Sequence, residues 1–136
     1  MTEEILKKLF YSFIWSFAIS IVFSWLNYQA TEGFEAKQAD FILVVLTFFL
    51  CLLNFISSLT ALLNLYKKIR ESLVLSAISF FGIPLLILMD LLIQYLAHRN
   101  SSDTFLSFIL LSIPSISYIV ALAFNFIKFR KDFELN

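Results

Sequence analysis

Four apolar runs, at about 9–28, 41–65, 73–97 and 105–127, divide the chain, and its charged residues gather in the joints between them. A helix that crosses a hydrocarbon core about 30 Å thick needs about 20 mostly apolar residues, and each run is that long. The pattern predicts an all-α integral membrane protein with one domain over residues 1–136. Its expected form is four transmembrane helices in an up-down-up-down bundle, crossing at about +20°.

Side chains facing lipid have no use for polar groups, so polar residues inside the runs mark the faces that turn inward. In the first run Ser12, Ser16, Ser20 and Ser24 recur every four residues. That spacing keeps them on one slowly rotating stripe, suited to close packing of small residues, with a hydroxyl-lined conduit as the alternative. In the second, Thr47, Cys51, Asn54, Ser58 and Ala61 follow alternating four- and three-residue steps, the seam of a left-handed helix pair. Asn54 falls near mid-membrane, where an unpaired amide is costly, and is expected to bond across to another helix.

The third run is the most unusual. Ser72, Ser76, Ser79, Asp90 and Gln94 lie within about forty degrees of one helix face at 100° per residue. Gly82 and Pro84 interrupt the same run, and Pro84 cannot donate to the carbonyl of Phe80, so a kink is expected there. Asp90 is the one carboxylate inside any run. An acid in such a place is a functional-site hypothesis. Three environments suit it: protonation through desolvation, bonding to hydroxyls at similar depth such as Ser20, Ser24, Thr47 or Ser112, or contact with water or a partner protein. The alternative is an internally bonded packing residue. Asp90, Gln94, Asn54, Thr47, Ser20 and Ser24 together form the candidate intramembrane polar site. In the fourth run Ser107, Tyr118, Ala121 and Asn125 share a face around Pro114, a second expected kink whose freed carbonyl nearby serines can satisfy.

Charge then orients the pattern. Of ten Lys and Arg residues, Lys7, Lys8, Lys67, Lys68, Arg70, Lys128, Arg130 and Lys131 fall on one side, against Lys37 and Arg99 on the other. The positive-inside rule puts both termini in the cytoplasm, with a bacterial inner membrane as the expected location. The first run is too long for a cleaved signal and is expected to remain as an anchor. Gln29 to Asp40 reads as the longest joint and is net acidic, a solvated connector or a docking loop, with helix expected to begin within it. Tyr66 to Ser72 reads as a tight basic turn, and His98 to Asp103 as a short polar turn. A glycosylation sequon at Asn100 stands too near the membrane to carry sugar.

Composition argues against chemistry. One histidine and one cysteine give no metal-ligating cluster and no disulfide. No nucleophile stands beside a base, no loop is built to cradle phosphate, and the basic residues flank the membrane and do not form a nucleic-acid surface. No enzyme activity, cofactor or metal is expected. Two functions fit. One is binding or shielding of another membrane protein, or of a second copy. The other is a subunit of a proton or small-solute channel or transporter that uses Asp90. The small, nearly loop-free, phenylalanine-rich four-span design resembles membrane immunity proteins, and Ala123-Phe124-Asn125-Phe126-Ile127-Lys128, followed by Lys131-Asp132-Phe133, is similar to a helix-end segment of some colicin immunity proteins. Here the segment ends the last span, where those relatives carry it at an earlier one, so no site residue carries over. The resemblance implies a bundle that protects its cell by binding an inserting pore-forming toxin.

Overall fold

The computed structural model describes residues 2–97 and 102–134. Among them every regular element is a helix, with no strand: α1 (Thr2–Ala30), α2 (Phe34–Ser57), a 3-10 segment (Ser58–Leu65), the short α3 (Lys67–Glu71), α4 (Leu73–Ala97) and α5 (Ser102–Glu134). Four stretches, Thr2–Ala30, Asp40–Leu65, Leu73–Ala97 and Phe105–Asp132, are long and apolar enough to cross a membrane. They cover the four runs read from the sequence. The outward surface of these helices is rich in large apolar side chains such as Phe10, Trp15, Phe49, Leu86 and Phe124, as lipid contact requires.

The first joint is shorter than the charge pattern implies. The joint expected at residues 29–40 contracts to Thr31–Gly33, because α1 runs on to Ala30 and α2 starts at Phe34. Gly33 makes this possible: at φ +94° it takes a backbone conformation that side chains disfavour, and its carbonyl accepts from Lys37 N at 3.1 Å. Asn27 Nδ2 then clasps Asp40 Oδ1 at 2.9 Å across the turn. The tight turn at 66–72 encloses the helical turn α3. The polar turn at 98–103 lies outside the described residues, apart from the start of α5 at Ser102, and so does the sequon asparagine.

Helical geometry runs unbroken through Pro84 and Pro114. The second span departs from α-geometry: eight residues from Ser58 wind as a 3-10 helix. Side chains help to explain it. Ser57, Ser58, Thr60 and Asn64 each donate to the carbonyl three residues back, at 2.8–3.0 Å. Such local bonds compete with the i→i−4 ladder, and a three-residue repeat stacks positions i and i+3 on one line. Ser58, Ala61 and Asn64 are accordingly all fully buried.

Contacts fix which helices meet. Along α1 and α5, numbers rise on one as they fall on the other: Lys8 Nζ bonds Asp132 Oδ2 at 2.8 Å, Asn125 Nδ2 bonds Ser12 Oγ at 2.9 Å, and Ser16 Oγ bonds the Pro114 carbonyl at 2.7 Å. Helix α4 packs on α5 and on the 3-10 segment, and among the described residues its backbone does not approach that of α1. The end that carries Lys8, α3 and Asp132 is called the basic end below, and the end that carries Gly33 and Ala97 the loop end. Near the basic end Ile5, Leu9, Ala61, Phe80, Tyr118, Leu122 and Phe129 form one buried apolar cluster. Phe80 is its hub, with ring centroids 5.2 Å from Phe126 and 5.5 Å from Phe129. Arg130 Nη1 closes that end with a 2.6 Å bond to the Arg70 carbonyl.

Candidate functional site

Two polar groups emerge from the residues singled out by sequence, and they lie apart. The first is a buried seam where α1, α2 and α5 meet. Ser12, Ser16 and Ser20 of the serine stripe are buried, as are Thr47, Cys51, Asn54 and Ser58 of the second span. Asn54 Nδ2 reaches across to Ser115 Oγ at 3.0 Å and back to the Leu50 carbonyl at 2.9 Å. Ser58 Oγ bonds the hydroxyl of the fully buried Tyr118. Ser16 Oγ contacts Cys51 Sγ at 3.6 Å, and Ser117 Oγ donates to the Ile113 carbonyl at 2.7 Å. Ser20 Oγ bonds back to the Ser16 carbonyl at 2.7 Å. Ser24 is half-buried on the rim of a shallow groove of about 320 Å³ beside Trp25 and Phe41.

These bonds are local or between adjacent helices, and the seam is filled by side chains. Its chemistry is that of packing: small hydroxyls let backbones approach, and Ser12, Ser16, Ser20, Asn54 and Ser117 each find a carbonyl or a hydroxyl within reach. Pro114, fully buried, sits at the centre because its carbonyl receives Ser16.

The second group is Asp90 with Gln94, and the structure corrects the expectation that they join the first. Both are exposed on the surface of α4, where Gln94 Nε2 donates to Asp90 Oδ2 at 2.6 Å. Ser20 and Ser24 lie on α1, whose backbone stays apart from that of α4. None of Ser20, Ser24, Thr47 and Ser112 bonds Asp90. The reason is how α4 is held. In its first half, Ser76, Ser79 and Phe80 are buried against the 3-10 segment and α5. There Thr60 Oγ1 donates to the Ser79 carbonyl at 2.7 Å, and Asn64 Nδ2 bonds Ser79 Oγ. In its second half Tyr95 stacks on Phe108 of α5 at 4.5 Å and meets Phe105 at 6.0 Å. Among the described residues, Asp90 stays exposed, although it continues the line of Ser76 and Ser79.

Asp90 and Gln94 offer a hydrogen-bonding pair on an otherwise apolar surface. Among the described residues, the second oxygen of Asp90 has no partner. Asn64 is the polar residue that the sequence reading missed. The three-residue spacing of Ser58, Ala61 and Asn64 is the signal that could have found it, since only a 3-10 turn puts all three on one line. Among the described residues, no three His, Cys, Asp or Glu side chains converge.

In comparisons with protein-family models, curated proteins and solved structures, the chain matches none.

Proposed function

We propose that this chain is a non-enzymatic membrane protein that binds and shields another membrane protein through the bare face of α4, in the manner of a bacterial immunity protein. In this reading the four long helices cross a bacterial inner membrane as an up-down-up-down bundle. Both termini are cytoplasmic, because the basic end carries eight of the ten Lys and Arg residues and such residues stay inside.

The exposure of Asp90 and Gln94 carries the proposal. A carboxylate within a span costs about 2.5–3.5 kcal/mol at the centre on insertion scales, and intramembrane acids nearly always face protein or a water-filled cavity. Here the chain covers its serines and asparagines with its own helices and leaves this one acid outside. A partner helix that lends a hydrogen-bond donor to Asp90 completes the arrangement. The seam contributes rigidity, so the face is presented without rearrangement. The conduit reading has less support, since the acid lies outside the single chain and the seam is filled.

The test combines function and flux. Cells producing the chain are challenged with a panel of pore-forming bacteriocins, and a photoreactive side chain at Ile93, beside Asp90, traps whatever docks there. Protection by the wild type against one toxin, a crosslink to that toxin, and loss of both in Asp90→Leu at an unchanged membrane level are expected. A proton flux in liposomes of the pure protein, abolished by Asp90→Asn, would replace this reading with the conduit.

A further inference from the structure

A second surface, far from Asp90, has a different character. Toward the basic end, α1 and α5 leave an outward groove of about 540 Å³, walled by Tyr11, Trp15 and Ile19 on one side and Val120, Ala121 and Phe124 on the other. The groove exists because α5 presents small residues there, Ser117 and Ala121, between the larger side chains. Its polar floor is already engaged. Asn125 Nδ2 donates to the Lys8 carbonyl at 3.1 Å and to Ser12 Oγ, and Ser117 Oγ donates to the carbonyls of Ile113 and Pro114. What remains for an occupant is an aromatic and aliphatic trough, with Trp15 64% and Phe124 72% exposed.

The mouth of the trough is cationic. Residues four apart share a helix face, so Lys128 continues the line of Phe124 toward the basic end, and Lys131 stands one turn further. Lys7 is engaged with Glu3 at 2.8 Å, and Lys8 with Asp132 at 2.8 Å. Glu4, on the α1 side of the mouth, is also engaged. Lys128 and Lys131 make no ion pair among the described residues. Asp132, four residues on from Lys128, is bonded to Lys8. An apolar trough that ends at two unpaired ammonium groups, on a helix suited to lipid, matches an amphiphile with one long chain and an anionic head.

We propose that the α1–α5 groove is a binding site for an anionic phospholipid, with an acyl chain along Trp15 and Phe124 and the phosphate at Lys128 and Lys131. The partner reading of Asp90 does not enter this argument, and either can fail alone. A lysine near an anionic headgroup contributes about five-fold in affinity, so two give a clear headgroup preference.

The chain has two tryptophans, Trp15 and Trp25. In Trp25→Phe, emission reports on Trp15 alone. The full chain is reconstituted in phosphatidylcholine bilayers doped with brominated phosphatidylglycerol or brominated phosphatidylcholine. Brominated phosphatidylglycerol is expected to quench Trp15 at a mole fraction at least about five-fold lower, and Lys128→Gln/Lys131→Gln is expected to remove the difference. Native mass spectrometry of the unaltered chain provides the second measurement, with phosphatidylglycerol adducts outlasting phosphatidylcholine adducts. Equal quenching by the two lipids, a preference that survives loss of both lysines, or a Trp15 shielded from both lipids by a second copy would overturn the proposal.

Discussion

The two halves of α4 carry the same polar line and treat it oppositely. Ser76 and Ser79 lie under the 3-10 segment, with Thr60 and Asn64 bonded to Ser79. Two turns beyond Pro84 the line continues as Asp90 and Gln94, with nothing from α1 over it. The difference is not one of residue hydrophobicity, since both halves are apolar around the polar line. It comes from what stands opposite. The 3-10 segment brings small and polar groups to the first half, and phenylalanines of α5 hold only one edge of the second. The covered half is buried in the bundle, and in the other half Asp90 and Gln94 stay exposed.

Mutations can break this contrast, and the largest effect is expected in the covered half. Phe80→Ala removes the hub of the apolar cluster and should cost about 3 kcal/mol, through lost contacts and the cavity left behind. Thermal or denaturant unfolding in detergent, in the same micelle as the wild type, reads this directly. A loss below about 1 kcal/mol would mean that the cluster is not the folding core.

Asn64→Leu comes next. It removes the bonds to the Ala61 carbonyl and to Ser79. Bonds between membrane helices average about 0.6 kcal/mol and reach about 1.7, so about 1 kcal/mol is expected. The double-mutant cycle with Ser79→Ala tests whether the pair is coupled; additive losses would show that each residue acts alone.

How far the chain announced these features depends on the kind of signal. Length and hydropathy made the four spans legible, because a bilayer imposes one length on every crossing. The buried serine stripe and the Thr47, Cys51, Asn54, Ser58, Ala61 seam were also readable, since lipid turns polar residues inward and periodicity then names the face. The same logic failed at Asp90. Periodicity correctly put it on the line of Ser76 and Ser79, but no repeat in one helix says where its neighbour ends. Asn64 escaped because the 3.6-residue period was assumed past Ser58, where the backbone tightens to three. The shortness of the first joint was legible in part: helix was expected to begin within it, because charged residues such as Lys37 and Asp40 extend a helix beyond its apolar part as readily as they form a loop, and α2 starts at Phe34.

The smallest effect belongs to the bare half. Asp90→Leu should leave unfolding in detergent within about 0.5 kcal/mol of the wild type, because no other helix of the chain bonds that carboxylate. A drop of more than 1 kcal/mol would show that Asp90 holds the fold together and would erase the contrast between the halves.

The sole thiol of the chain has a practical corollary. Cys51 is wholly shielded behind Ser16 and Ser20, so membrane-impermeant maleimides have nothing to modify in the native protein. A sulfhydryl introduced at Glu32 or at Lys68 therefore becomes the single address for such a reagent. The chain comes with a silent background for mapping its own sidedness in intact cells.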